Sequence, residues 1–241
     1  MKKPARLLDL GTREFGEVWA QQRELVIARQ KDEIPDTLLF VEHPHVITAG
    51  RSAHKENLLA TDGIPLFEIE RGGDVTYHGP GQLVGYPIFL LRQEERDLHV
   101  YLRNLEEAII RAIGRFDVRG ERKQGWTGVW TAGGARKLTS IGVAVKRWVT
   151  MHGFALNNEP DLSHFSSIVP CGVSDRRFGV TSLADLGLTV SMPEIDMVLR
   201  AEFEPLFGGT SDALTVRSLE NILPRRRQGR CQVVQRGGVR R

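Results

Sequence analysis

The chain has 241 residues, 41% hydrophobic and 26% charged, the balance of an ordinary globular protein with material for one substantial core. No apolar run reaches the length of a bilayer span, and two widely separated cysteines, Cys171 and Cys231, exclude a disulfide framework. The net charge of +3 is unevenly spread: seven arginines crowd the stretch after Pro224, and without them the body is mildly acidic.

At the amino end only Leu7-Leu8 separates a basic start from Asp9. There is no h-region, so the expectation is a cytosolic protein. Residues 13–33 predict an amphipathic helix with Phe15, Val18, Trp19, Gln22, Val26 and Arg29 on one side and Pro35 closing it. Strands follow at 37–42, 46–48, 66–70 and 84–89, and Pro87 places the last of these at an edge or a bulge. Asp97 then caps a long helix whose Val100, Leu105, Ala108, Ile109, Ala112, Ile113 and Phe116 face the core. Strands at 127–131, 137–145 and 152–156 surround a Gly133-Gly134 turn, and residues 193–206 form a closing helix. Hairpins mixed with a few helices predict a single α+β domain over 1–223, a mixed β-sheet flanked by helices. The arginine-rich stretch 224–241 reads as a disordered, solvated tail carrying Cys231.

Three segments carry chemistry. Residues 71–81 hold four glycines, which let backbone approach a ligand closely and aim N–H groups at it. A mere connector explains the glycines but not Arg71, Asp74, Thr76, Tyr77 and His78 packed among them, which favours a binding loop. Lys137 opens an alternating strand, where most lysines are solvated gatekeepers. Held near a thiol, however, it would stabilise the thiolate, which is the nucleophile. That thiol is Cys171, set between Pro170 and Gly172 on an irregular turn; a buried cysteine acting as a small hydrophobe is the competing reading. Lys137 and Cys171 are far apart in sequence, so only the fold can join them.

Four stretches together resemble one family. They are Arg71-Gly72-Gly73-Asp74-Val75-Thr76-Tyr77-His78-Gly79-Pro80-Gly81-Gln82-Leu83, Lys137-Leu138-Thr139-Ser140-Ile141-Gly142, the run 147–157 containing His152-Gly153-Phe154-Ala155-Leu156-Asn157, and Ile168-Val169-Pro170-Cys171-Gly172. In this order they are similar to the lipoyl(octanoyl) transferases, over roughly residues 35–215. The resemblance implies the fold shared by lipoate and biotin protein ligases, with no cofactor and no metal. It implies octanoyl-acyl carrier protein as donor. The implied acceptors are lipoyl domains of 2-oxoacid dehydrogenase E2 subunits and the glycine cleavage H protein. It makes Cys171 the acyl-thioester nucleophile and Lys137 the partner that lowers its pKa. Arg71, Gly72, Gly73, Asp74, Val75, Thr76, Tyr77 and His78 fall where the family lines its acyl and pantetheine pocket. So do Ser140, Ile141 and Gly142, and Gly153, Phe154 and Ala155. Asn158 departs from the apolar residue expected after Leu156-Asn157, which bears at most on pocket shape. The basic tail has no counterpart in the pattern.

Rival readings stay open at this stage. An ATP-dependent lipoate or biotin ligase would use the same fold and a lysine but no thiol. A cysteine hydrolase would pair Cys171 with His152 and Asp175. His78 and His152 either shape the pocket or move protons. A nucleic-acid-binding role led by the tail ranks low, because the body lacks an aromatic-basic recognition motif. His43 and His45 straddle Pro44, but no further ligands complete a metal set. Nothing in the sequence demands more than a monomer.

Overall fold

The computed structural model describes residues 5–59, 63–131, 133–168, 178–207 and 214–215. Its first strand, β1 (Arg6–Thr12), carries Leu7 and Leu8 side by side, and they enter different cores. The next strand, β2 (Thr37–Glu42), does the same: Leu38 and Phe40 join Leu7, while Leu39 and Val41 join Leu8. A sheet covered on both faces buries successive residues on opposite sides, so its strands read as unbroken apolar runs.

Between them α1 (Phe15–Gln30) buries Phe15, Val18, Gln22, Leu25, Val26 and Ala28. Arg29, expected on that face, donates from Nε to Asp36 at 2.7 Å, and Asp36 also accepts from the Leu90 amide at 2.9 Å. Three short strands follow: β3 (Val46–Ala49), β4 (Leu66–Glu68) and β5 (Val75–His78). They form a separate sheet in the order β4-β3-β5. Its small core is Ile47, Ala49, Val75, Tyr77, Phe165 and Ile168.

The large sheet continues with β6 (Gln82–Ile88), β7 (Glu121–Lys123), β8 (Trp126–Thr131), β9 (Arg136–Lys146) and β10 (Val149–Asn157). Two-residue strands β11 (Gly179–Val180) and β12 (Leu214–Thr215) complete it. Among the described residues the order is β12-β1-β2-β6-β10-β9-β8-β7, with β11 paired to β9. The sheet is mixed, because β1 runs parallel to β2 and β12, and β11 parallel to β9.

Pro87 sits in neither of the predicted settings as such. Its strand β6 is central, between β2 and β10, but the β10 ladder stops at Gly85 opposite Phe154. Beyond that point His152 has φ +56° and the Thr150 hydroxyl donates to the Pro87 carbonyl at 2.7 Å. The missing proline N–H therefore falls where β10 has already left the ladder.

Helix α2 (Leu98–Gly114) starts at Asp97, whose carboxylate accepts from the amides of His99 and Val100. Val100 is 53% exposed rather than core-facing, and Tyr101 is buried in its place. The helix phase explains the exchange: Tyr101, Leu105, Ala108 and Ala112 form one stripe that excludes position 100. Helix α3 (Met192–Phe207) packs beside α2, so these two cover one face of the sheet and α1 the other.

Candidate active site

The small sheet faces the β9–β10 hairpin across a cavity of about 720 Å³. The two sheets are latched by the Gly72 amide, which donates to the Val143 carbonyl at 2.9 Å. The latch needs a bare backbone at Gly142, where a Cβ would lie 3.0 Å from both the Gly72 oxygen and Arg71 Cδ.

The glycine-rich segment supplies the cavity's roof, but not through every residue predicted to line it. Arg71, Gly72, Gly73, Asp74, Thr76 and His78 line the cavity. Val75 and Tyr77 do not; they pack into the small core with Ile47 and Phe165. The segment enters a strand at Val75, and strand side chains alternate between faces, so a continuous binding loop was one feature too many. Two of the polar lining residues also build the roof. Arg71 Nη2 donates to the Thr48 carbonyl at 2.7 Å and to its hydroxyl at 3.0 Å. The Asp74 carboxylate accepts from the Val75 amide at 2.8 Å, the His54 amide at 3.2 Å and the Asn57 side chain.

The floor comes from the hairpin. Ser140, Ile141, Gly142, Gly153, Phe154 and Ala155 all line the cavity, and register pairs them across the ladder: Gly142 with Gly153, Ile141 with Phe154, Ser140 with Ala155. Lys137 lies further along the same strand, in the wall, with only 5% of its surface exposed. It is neither a solvated gatekeeper nor remote from the glycine-rich segment. Gly128 opposite makes room for it, since a Cβ there would sit 2.7 Å from Lys137 Cε. Asn158, the departure from pattern, is buried outside this lining and donates to the Val190 carbonyl at 2.8 Å.

Cys171 and its neighbours Pro170, Gly172 and Asp175 lie outside the described residues, as do Cys231 and the arginine tail. The described chain reaches Ile168, bridged to Leu58, and resumes at Phe178. Two residues later Val180 stands in register with Lys137, and the Thr181 amide donates to the Lys137 carbonyl at 3.0 Å.

Sequence reasoning missed several lining residues: Phe15 from α1, Leu98 and Leu102 from α2, Tyr86 from β6, and Trp126 from β8. Each belongs to an ordinary amphipathic or buried pattern, which carries no mark of a ligand. His152 lines the cavity too, pinned by the Gln22 side chain, which accepts from its amide at 2.8 Å. Its Nε2 is 3.5 Å from Glu70. Burial works against the ionised Glu70, but contacts with His152 and Lys146 prevail and hold its carboxyl well below the usual range. Burial also lowers His152, against the opposing pull of Glu70.

His78 is pushed down to about 3 by burial, with the charges of His43 and Arg71 adding. His43 is lowered to about 4, again by burial. Neutral His43 donates from Nδ1 to the Arg13 carbonyl at 2.7 Å and accepts at Nε2 from the Tyr86 hydroxyl at 2.8 Å. It is therefore a structural histidine, not half of a metal pair with His45. Both groups lie below the ordinary 6.5, so the unfolded chain binds their protons first as pH falls. Their stabilisation is complete above about pH 6.5 and drains away toward pH 4, by about 1.4 kcal/mol per pH unit for each histidine. Urea midpoints measured at pH 7.5, 6 and 5 should fall steadily; a flat series would contradict this account.

The geometry is thus a partly open cavity of mixed polar and apolar lining, with a lysine in its wall and a glycine-built roof. The lipoyl protein ligase A/B catalytic domain model matches residues 14–204 of this chain. The chain belongs to that family. An octanoyltransferase from Rhodospirillum rubrum is 47% identical over 197 residues, 80% of this chain and 90% of that protein. One from Solibacter usitatus is 47% identical over 207 residues, 83% of this chain and 92% of that protein. Likeness of this extent makes the chain an acyltransferase. Among solved structures, lipoate-protein ligase A bound with ATP superposes with TM-score 0.72 at 18% identity, covering 91% of this chain and 92% of that one. The bi-partite lipoate protein ligase from Thermoplasma acidophilum gives 0.70 at 18% identity, covering 91% and 89%. These two show the shared lipoyl ligase fold.

Proposed function

We propose that this acyltransferase moves an octanoyl group from acyl carrier protein to a lysine of a lipoyl domain, through a thioester on Cys171. The observation that carries the reading is Lys137, a lysine buried in the wall of the cavity. Covalent reach supports bringing Cys171 to it. Ile168 belongs to the small core against which Val180 packs, and Val180 is in register with Lys137. Cys171 follows Ile168 by three residues, a chain length of about 11 Å at most.

A free thiol near its reference pKa of about 8.5 is mostly protonated at neutral pH, and a neighbouring ammonium favours the thiolate. The Cys171 thiolate attacks the thioester carbon, and the bond to the carrier's pantetheine sulfur breaks. Lys137 gives its proton to that leaving sulfur. In the second half the acceptor lysine, as the free amine, attacks the acyl-cysteine carbon and passes one proton to Lys137. The carbon–sulfur bond to Cys171 breaks, and the thiolate–ammonium pair is restored. The acyl chain is assigned to the cavity floor over the Ser140–Ala155 and Ile141–Phe154 pairs. The names of the relatives support octanoyl as the acyl group. A lipoyl-domain acceptor has support in the archaeal ligase, described together with its E2 lipoyl domain. The cytosol, where such carriers and acceptors meet, is the proposed setting.

Intact-mass spectrometry after incubation with octanoyl-acyl carrier protein tests the reading. One added octanoyl unit on Cys171, discharged by a lipoyl domain, is the expected result. Adenylate formed from ATP and free octanoate, with no adduct, would replace it with the ligase reading.

A further inference from the structure

Lys137 is gripped from one side by an aromatic residue for which neither the fold nor the proposed chemistry has an assigned use. Trp130 is paired with Lys137 across β8 and β9, and the Lys137 Nζ stands 5.4 Å from the centre of its ring. Trp130 is 1% exposed, among the largest fully buried side chains of the molecule. Its indole N–H has no hydrogen-bond partner among the described residues. A purely space-filling residue at this position would avoid burying an unmatched donor. The π face has a use that phenylalanine or leucine serves less well: indole binds cations most strongly of the aromatic rings.

Other contacts converge on the same ring. Phe178, the first described residue after the segment containing Cys171, meets Trp130 edge-on at 6.3 Å. The Lys123 Nζ lies 2.9 Å from the centre of the Phe178 ring and 4.5 Å from that of Trp130, and it donates to the Gly134 carbonyl at 2.8 Å. One buried indole therefore touches the strand bearing Lys137 and the point where the chain returns from Cys171. Opposite, Gly128 leaves the space that the lysine stem occupies.

We propose that Trp130 is a positioning residue whose indole face holds the Lys137 ammonium at the cavity wall. Trp130 touches no reacting atom; it favours the charged lysine in one place. This rests on the thioester reading above.

The test is the pH dependence of Cys171 alkylation by iodoacetamide, in the full chain with Cys231→Ser so that one thiol reports. Trp130→Leu is expected to lower the rate at pH 7 by about three- to tenfold, with full rate regained at high pH as the titration midpoint moves up. Trp130→Phe should fall between Leu and the parent. Tetrafluorotryptophan at position 130 keeps the shape and weakens the π face; it should shift the midpoint in the same direction as leucine. This analogue decides the matter even if the leucine variant does not fold. A parental midpoint with the fluorinated ring overturns the proposal, whatever leucine does, because packing alone would then explain Trp130. Lys137→Met separates the two levels. If that variant leaves the midpoint unmoved, the thiolate–ammonium reading itself fails, and this inference with it.

Discussion

Replacing Cys171 with serine is expected to abolish octanoyl transfer, by on the order of 10³-fold or more, and to remove the acyl-enzyme from mass spectra. A serine hydroxyl is a far weaker acid than a thiol, and the proposed site supplies an ammonium rather than a general base strong enough to ionise it. The measurement is steady-state transfer from octanoyl-acyl carrier protein to a lipoyl domain, with thermal unfolding as a control. Transfer at the parental rate would eliminate the covalent route. The same variant separates thioester chemistry from adenylate chemistry, since a ligase would lose little.

Lys137→Ala is expected to lower kcat by roughly 10²- to 10⁴-fold, the range of a lost proton-transfer group. The Cys171 titration should rise toward the reference value of about 8.5. An unchanged titration would remove the activating role even if turnover fell. Lys137→Arg should not rescue turnover. A guanidinium cannot give up its proton in a protein, and the space beside Gly128 is cut to a linear stem.

Much of this arrangement was legible because strands and glycines leave strong local marks. The runs at 37–42, 137–145 and 152–156 appear almost as predicted: 37–42 carries the unbroken apolar code of a strand buried on both faces, and 137–145 shows itself by alternation. The four quoted stretches fixed the family, and three of them meet at one cavity. The failures have separate causes. Strand β1 is cut by Asp9 and Gly11, which disguise Leu7, Leu8 and Leu10 as a polar start. Glu106 reads as a solvated helix residue yet is fully buried; its carboxylate accepts from the Gly128 amide at 3.1 Å and from Arg103 at 2.5 Å. Gln22 looks like an ordinary helix polar residue until His152, with its positive φ, presents an amide to it. For Glu106 and Gln22 the deciding backbone amide, of Gly128 or His152, lies 22 or 130 residues away, where periodicity has no reach.

The glycines at the β6–β10 seam beside the cavity constrain how this chain can drift over generations. At Gly85 a methyl group would meet the Phe154 ring at 2.3 Å; at Gly153 it would meet the Gly85 oxygen at 2.1 Å. Neither site can accept alanine unless the strand beside it yields at the same time. Lineages leaving this sequence must therefore cross that region in correlated steps, a trimmed ring at 154 before any side chain at 85, while the helices around it change one residue at a time.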